Sequence, residues 1–259
     1  MSENYVTVTE TPGIGATREQ IARLYTRYKF AATFCGGKEV LEVACGAGQG
    51  LGYLARVAKR VVGGDIEERN LQFARAHYQG RGNIELRKID AHDLPFEDHS
   101  FDRVILYEAI YYLDYPDKFL KECRRVLRER GVVLICTVNR EWSDFNPSPF
   151  SKRYFSAMEL KALLEGQGFH VELLGSCPVS RDSAKDRLIS YLKRTAVALH
   201  LMPKTMKGKE FLKKLFFGKL APLPPEVVDG LTDYVPPHPI SPVSPVSDYK
   251  VLYAIGRLG

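Results

Sequence analysis

The stretch Val40-Leu-Glu-Val-Ala-Cys-Gly46-Ala-Gly48-Gln-Gly50 decides the fold of this chain. It starts with apolar residues typical of a buried strand and ends in alternating glycines. Glycine has no Cβ, so such a turn lets a ligand come close to the backbone. The helix predicted after the turn offers free N–H groups to a carboxylate or phosphate. Taken alone, the pattern also describes a tight strand-to-helix turn that binds nothing.

A dinucleotide-binding fingerprint does not fit this turn. The G-x-G-x-x-G motif counted from Gly46 fails because its last position is Leu51. Counted from Gly50, the motif begins well after the strand, inside the predicted helix, which is the wrong context. The turn is therefore not typical of an NAD site.

Strand and helix patterns alternate along most of the chain. A helix is predicted from Thr17 to about Phe34, before the glycine turn. Predicted strands lie at 40–44, 60–65, 83–87, 101–107, 132–138, 170–174 and 250–255. Regular alternation predicts an α/β fold, a Rossmann-like doubly wound sheet whose ligands bind at the carboxyl ends of its strands. The last of its seven strands is expected to run antiparallel.

Composition sets the class of protein. The chain has 259 residues, of which 45% are hydrophobic, so a packed core is expected. Its 5 scattered cysteines show neither a disulfide framework nor zinc-ligand spacing, and no metal is expected. The polar start is not a signal peptide, and no apolar run is long enough to span a membrane. These features predict a cytoplasmic protein.

Two acidic residues follow predicted strands at the expected ligand edge. Asp65 ends the second strand, where a carboxylate can accept hydrogen bonds from ribose hydroxyls or can cap a helix. Asp90 follows the third strand, and Ala91 comes next. A carboxylate at that point can accept a hydrogen bond from an adenine amine.

These residues resemble the class I S-adenosylmethionine-dependent methyltransferases. The family motif E/D-x-G-x-G-x-G corresponds to Glu42–Gly50, with Ala44 and Cys45 in its variable places. Similar to later family motifs are Asp90-Ala-His-Asp-Leu-Pro-Phe, Phe101-Asp102 and Arg125-Val-Leu. The resemblance covers about residues 18–175 and the last strand. One departure is Arg128-Glu-Arg-Gly131, where the family usually has Lys-Pro-Gly-Gly in a structural turn.

The resemblance implies S-adenosylmethionine as cofactor, with S-adenosylhomocysteine as product. It places Gly46 and Gly48 beneath the methionine part and lets Glu42 order the loop or reach the amino group through water. Arg27 or Tyr28 would touch the carboxylate of the cofactor, although an exposed basic residue beside a core aromatic explains them equally well.

The resemblance also implies contacts to the nucleoside part of the cofactor. Asp65 would hold the ribose and Ile66 would lie against the adenine, whose edge Asp90 and the Ala91 amide would read. Tyr107, at the end of the fourth strand, would lie beside the methyl group.

Methyl transfer needs alignment and, for hydroxyl acceptors, a base. Glu108 is the leading candidate because it leaves the fourth strand where the methyl would point. His238 is a candidate if its proline-rich loop folds over the site, and Tyr112 is a further catalytic candidate. Weaker candidates are His92, more typical of a loop residue, and Tyr111, which also fits a pocket wall.

The predicted function is O-methylation of a small molecule, a glycan or a lipid-linked intermediate. Residues 25–32 and 137–147 resemble a bacterial subgroup linked to glycan pathways. Nucleic acid is disfavoured because no D/N-P-P-Y/F motif follows the fourth strand. The alternative is a cofactor-binding regulatory or RNA-binding protein that kept the fold.

Three regions are predicted. Residues 1–37 form a helical segment, 38–175 with 249–259 form the cofactor-binding domain, and 176–248 form an insertion with amphipathic helices and a proline-rich loop. Residues 181–220 include 11 Lys/Arg and 3 Asp/Glu, whereas the net charge of the whole chain is only +6. This basic stretch is either the solvated exterior of a core face or a substrate lid that touches an anionic substrate or a membrane surface.

Overall fold

The computed structural model describes residues 9–148, 150–179, 220–241 and 243–259. The helices in these ranges are α1 Arg18–Cys35, α2 Leu51–Ala55, α3 Glu68–His77, α4 Pro116–Val126 and α5 Ala157–Glu165. The strands are β1 Gly15–Ala16, β2 Glu39–Val43, β3 Arg60–Asp65, β4 Ile84–Lys88, β5 Phe101–Tyr107, β6 Leu127–Val138, β7 His170–Pro178, β8 Ala221–Pro222, β9 His238–Pro239 and β10 Tyr249–Arg257.

The central sheet has the order β4-β3-β2-β5-β6-β10-β7-β9. Strands β2 to β6 pair in parallel, and β10 runs antiparallel between β6 and β7. The prediction of a Rossmann-like sheet with an antiparallel last strand is confirmed. The sheet gains an edge strand that was not predicted, because two residues of the proline-rich loop, His238 and Pro239, pair with β7. Proline has no N–H to donate, so it is tolerated at a sheet edge.

Helices cover both faces of the sheet. On one face α1, α2 and α3 bury a core that includes Tyr25 and Leu51, both at most 1% exposed. On the other face α4 and α5 bury Phe119 and Leu160, both 0% exposed. Strands covered on both sides are apolar nearly throughout, which explains the continuous hydrophobic runs of the sequence.

Helix α1 begins where the sequence predicts it. Thr17 accepts a hydrogen bond from the backbone N–H of Gln20, and the Gln20 side chain accepts one from the Thr17 N–H. This reciprocal capping box satisfies two N–H groups that have no partner inside the helix. The cap fixes the start of the helix that forms one wall of the ligand cavity.

The predicted helices of the insertion lie in 180–219, outside the described residues. The part of the insertion that the structure describes from residue 220 onwards, here called the return segment, packs against the N-terminal part of the chain. Strand β8 pairs antiparallel with β1, the carbonyl of Pro224 accepts a hydrogen bond from the Gln49 side chain, and Asp229 accepts one from Tyr53. The return segment therefore packs along α2 and against the glycine turn. Among the helices that the structure describes, none is long and apolar enough to cross a bilayer.

Gly50 tests how the glycine turn packs against α1. An added Cβ would lie 1.8 Å from Cε1 of Tyr28, although the backbone of Gly50 has an ordinary helical φ of −96°. We expect Gly50→Ala to lower the free energy of unfolding by about 1–3 kcal/mol through overpacking. Gly36→Ala is the control, because a Cβ at Gly36 meets nothing within 4 Å. Urea denaturation measures both variants, and equal midpoints would contradict this packing.

Candidate functional site

A cavity of about 470 Å³ opens at the carboxyl ends of β2, β3 and β5. This is a volume typical of small-molecule sites. Of the residues predicted to bind the cofactor or to act in catalysis, those that line the cavity are Arg27, Tyr28, Gly46, Asp65, Ile66, Asp90, Ala91, Tyr107, Glu108 and Tyr112. Glu42, Gly48 and His238 do not line it.

The two predicted glycines of the turn lie in different surroundings. A Cβ on Gly46 would approach only Thr9, at 3.1 Å, so the backbone of Gly46 is open to the cavity. A Cβ on Gly48 would lie 2.7 Å from Cβ of Ala74 in α3. Gly48 therefore allows close packing of the turn against α3, and it does not take the ligand-facing position predicted from the motif.

Asp65 connects the glycine turn to the start of α3. Its Oδ2 accepts a hydrogen bond from Gly46 N at 2.8 Å, and its Oδ1 accepts one from Glu67 N at 2.8 Å. Burial raises the pKa of Asp65, although these hydrogen bonds oppose the shift. Oδ1 also accepts from Asn70 Nδ2 at 3.4 Å, so the lone pair that remains for a ligand hydroxyl is the second one of Oδ2. Ile66 is 49% exposed at the cavity, an apolar surface open to a ring.

Asp90 and His92 form a hydrogen-bonded pair at the opposite rim from α1. Asp90 Oδ1 accepts from both the backbone N–H and Nδ1 of His92, at 2.8 Å each. Burial opposes ionisation of Asp90, but the contacts with His92 outweigh it and lower its pKa. His92 Nε2 accepts from Tyr115 N at 3.3 Å. With both ring nitrogens engaged, His92 is a structural element of this rim, in keeping with its low rank as a base.

Glu42 is 2% exposed and lies behind Tyr28. The Tyr28 hydroxyl, whose residue does line the cavity, donates to Glu42 Oε1 at 2.6 Å. Glu42 Oε2 has no hydrogen-bond partner within the described part of the chain. Burial raises the pKa of Glu42 to about 7. The prediction that Glu42 orders the loop or acts through water fits this position better than direct contact does.

Glu108 sits where β5 ends, with a left-handed φ of 53°. Such a conformation is costly for a residue other than glycine and is often found at functional sites. The hydroxyl of Tyr111 donates to Glu108 Oε2 at 3.2 Å, and Arg27 Nη1 lies 3.9 Å from Oε1. Burial raises the pKa of Glu108, and Arg27 opposes that shift.

The other two predicted catalytic residues, Tyr112 and His238, lie in different parts of the structure. Tyr112 lines the cavity, and its hydroxyl shares a hydrogen bond of 2.9 Å with Ser148. His238 is exposed on β9, opposite Gly175 of β7. Four strand spacings of about 4.8 Å separate β9 from β5 in the sheet, or about 19 Å. In the structure His238 pairs with the sheet edge and does not line the cavity, so its role at the methyl group stays a prediction that this geometry does not support.

Sequence reasoning missed the residues that roof the cavity. Thr9 and Glu10 both line it, and Glu10 Oε2 lies 3.3 Å from Arg27 Nη2. Asn70 of α3 also lines it and has a buried Oδ1 without a hydrogen-bond partner among the described residues. Residues 9–16 carry no periodic pattern, so nothing in the sequence marked them. Asn70 lies in the first turn of α3, five residues after Asp65. This short separation could have indicated that the two side chains lie at the same site.

Unpaired buried polar atoms test whether the cavity fits the implied cofactor. Within the described ranges, the buried acceptors without a partner are Glu42 Oε2 and Asn70 Oδ1, and the buried donors without one are Arg23 Nε, Arg27 Nε, Tyr107 OH and Trp142 Nε1. Of these residues, Arg23, Arg27, Asn70 and Tyr107 line the cavity. Buried polar groups normally have partners, so these atoms call for a polar ligand. S-adenosylmethionine offers an amino group and hydroxyls to the acceptors and a carboxylate to the guanidinium. The residues present therefore fit the cofactor.

Glu42→Gln tests the raised pKa of Glu42. A carboxyl whose pKa is raised in the folded state loses stabilising free energy as the pH rises from about 4.5 through about 7. Glutamine does not titrate and its oxygen still accepts from Tyr28. The free energy of unfolding of Glu42→Gln relative to the native protein should therefore rise by about 2–3 kcal/mol between about pH 5 and about pH 8.

Glu39→Gln is the matched control on the same strand. Burial opposes ionisation of Glu39, but ion pairs with Arg60 and Lys59 outweigh it and lower its pKa. Both the folded and the unfolded pKa of Glu39 therefore lie at or below 4.5, so the stability of that variant relative to the native protein should stay level between about pH 5 and about pH 8 and should change only in more acidic solution, with the opposite sign. Parallel stability profiles for the native protein and Glu42→Gln would contradict the assignment.

Known proteins resemble this chain over the same region. A family model described as a methyltransferase domain matches residues 41–135. A "Probable S-adenosylmethionine-dependent methyltransferase" of Mycolicibacterium smegmatis is 37% identical over 167 residues, which is 62% of this chain and 63% of that relative. A ubiquinone biosynthesis O-methyltransferase of Mesorhizobium japonicum is 31% identical, over 48% of this chain and 50% of the relative.

A fatty-acid O-methyltransferase of Mycolicibacterium smegmatis is 41% identical over 100 residues, 38% of this chain and 36% of the relative. The matches thus span less than two thirds of each of these relatives. Among solved structures, a SAM-dependent methyltransferase from Aquifex aeolicus has a TM-score of 0.50 and 26% identity, covering 59% of this chain and 88% of that one. The domain built on residues 41–135 belongs to the class I S-adenosylmethionine-dependent methyltransferases, as its motifs predict.

Proposed function

We propose that this protein transfers a methyl group from S-adenosylmethionine to an oxygen of a small molecule, a glycan or a lipid-linked intermediate. The observation that carries the proposal is the single cavity that places Asp65, Gly46, Arg27 and Glu108 together. Asp65 and Gly46 belong to the cofactor motifs, and Glu108 is a carboxylate that can accept a proton.

The proposed cofactor lies across the glycine turn. Asp65 would accept from a ribose hydroxyl with the Oδ2 lone pair that Gly46 leaves free. Ile66 and the Asp90–Ala91 rim would hold the adenine, and Arg27 would bind the carboxylate of the methionine part. When bound, the cofactor supplies an electrophilic methyl group.

Glu108 is the proposed general base. Its pKa is raised by burial, and a base is most effective when its pKa approaches the working pH. Tyr111 orients the carboxylate through its 3.2 Å hydrogen bond. The hydroxyl of the acceptor gives its proton to Glu108 while the oxygen forms its bond to the methyl group, and the sulfur takes the electrons of the bond that breaks.

Two relatives support oxygen as the acceptor atom. The ubiquinone and fatty-acid enzymes are O-methyltransferases by name. One is named for ubiquinone biosynthesis and the other for fatty acids, which is consistent with a small or lipid-linked acceptor for this chain.

Asp65→Ala tests the cofactor site. The native protein should bind S-adenosylhomocysteine with micromolar affinity and should not bind NAD. Loss of the carboxylate removes charge-assisted hydrogen bonds, so the affinity should fall at least about tenfold, or about 1.4 kcal/mol. Calorimetry measures it, with Asp98→Ala as control because Asp98 is exposed and paired to Arg125 outside the cavity. Equal affinity of the native protein and Asp65→Ala would remove Asp65 from the site.

Glu108→Gln tests the base. The amide cannot take a proton, so transfer of labelled methyl to an acceptor in cell extract should fall by about 10²–10⁴. The affinity for S-adenosylhomocysteine should stay within about twofold, because no part of the cofactor is assigned to Glu108. Tyr111→Phe keeps the carboxylate and loses only its orienting hydrogen bond, so its rate should fall less. An undiminished rate in Glu108→Gln would exclude Glu108 as the base, and cofactor binding without any transfer would contradict the proposed activity.

A further inference from the structure

Two arginines lie one helical turn apart on the cavity side of α1. Arg23 and Arg27 both line the cavity, and both have a buried Nε–H without a hydrogen-bond partner in the described part of the chain. Residues four apart on a helix are neighbours on one face. The cavity therefore presents two guanidinium groups, each with a donor to spare.

The surroundings of the two arginines carry opposite charge. Arg27 lies between two carboxylates, at 3.3 Å from Glu10 and 3.9 Å from Glu108. Around Arg27 negative charge is in excess.

Arg23 has the reverse balance. It pairs with Glu19 at 2.6 Å, and the same carboxylate also binds Lys250 at 3.0 Å. Burial works against the charge of Arg23, but Glu19 outweighs it and raises the pKa. Burial likewise opposes ionisation of Glu19, yet Arg23 and Lys250 lower its pKa. Within ion-pair distance, one carboxylate thus serves two cations, so positive charge is in excess among the paired groups at the Arg23 end of the cavity, although Glu108 also acts on Arg23 from farther away.

The proposed function assigns the carboxylate of the cofactor to Arg27, which is next to Tyr28, whose hydroxyl donates to Glu42 of the strand that leads into the glycine turn. Arg23 is four residues earlier on α1, or about 6 Å along the helix axis. Arg23 also lines the cavity, and the proposed cofactor contacts do not use it.

We propose that Arg23 binds an anionic group, a carboxylate or a phosphate, on the methyl acceptor. The inference rests on the proposed function, because it assigns Arg27 to the cofactor. A guanidinium with excess charge forms strong charge-assisted hydrogen bonds with oxyanions.

The walls near Arg23 describe the rest of that acceptor. Leu24, Val138 and Tyr111 also line the cavity and present apolar or aromatic surface. Glu108, which Tyr111 contacts, is the proposed base. The acceptor class is therefore an amphipathic organic anion: an apolar body with an oxyanion at Arg23 and a hydroxyl at Glu108. A neutral sugar does not fit this charge.

Matched probes test the inference on the protein saturated with S-adenosylhomocysteine. Benzoate and phenyl phosphate carry the two oxyanions, and benzyl alcohol is their neutral counterpart. By calorimetry, at least one of the two anions should bind at least about tenfold more tightly than the alcohol. The order of the two anions distinguishes a carboxylate acceptor from a phosphate acceptor.

Two variants should move anion binding in opposite directions. Arg23→Gln should reduce the preference for the anion to less than about threefold while S-adenosylhomocysteine still binds as in the native protein. Glu19→Gln keeps Arg23 and removes its counter-charge, so it should tighten the anion at least about twofold. Arg140→Gln is the control, because Arg140 pairs with Glu159 away from the cavity and its loss removes the same charge.

The outcomes separate this inference from the proposed function. If the native protein does not bind S-adenosylhomocysteine, the proposed function fails. If it does bind, equal affinity for benzyl alcohol and both anions overturns the inference. An anion preference that survives in Arg23→Gln, or that Glu19→Gln leaves unchanged, also overturns it.

Discussion

The carboxylate of Asp65 is the anchor on which the cavity depends. It accepts one backbone hydrogen bond from the glycine turn after β2, at Gly46, and one from the start of α3, at Glu67. Hydrogen bonds to an ionised acceptor are stronger than those between neutral groups. Two loops that leave neighbouring strands are thereby held in one geometry, and Oδ2 keeps a lone pair that can accept from a ligand hydroxyl. Support of the backbone and contact with the ligand are combined in a single side chain.

Burial gives the cavity a second property, because three acids in or behind its wall hold their protons more strongly than usual, whereas Asp90 at the rim does not. Burial raises the pKa of Asp65, Glu42 and Glu108. A positively charged ligand favours the ionised form of such groups, so its binding lowers these pKa values again. Binding of a sulfonium or an ammonium group in this cavity is therefore coupled to release of protons, and its affinity rises with pH over the range in which these acids titrate.

The sequence predicted what local chemistry determines, and failed where distant segments meet. The capped helix α1, the buried strands and the glycine turn follow from periodicity and from hydrogen-bonding residues such as Thr17. The sequence does not show that Gly48 and Gly46 have different roles, because the difference depends on the packing of Ala74 from α3 against Gly48. The position of His238 at the sheet edge could not be predicted, because pairing of β9 with β7 is a tertiary contact between short, proline-containing segments. Glu10 reaches Arg27 for the same reason, without any local signal.

The pairing of β1 with β8 has a consequence for the order in which the site is built. Gly15 lies opposite Pro222, so the residues that lead from the roof of the cavity have their partner strand more than 200 positions later in the chain. A ribosome delivers the glycine turn, α1 and the central strands long before it delivers that partner. Contacts of such high sequence separation carry a large loop-closure cost and form late. In the nascent protein, β1 therefore waits for its partner strand while the glycine turn and the central strands are already available to fold.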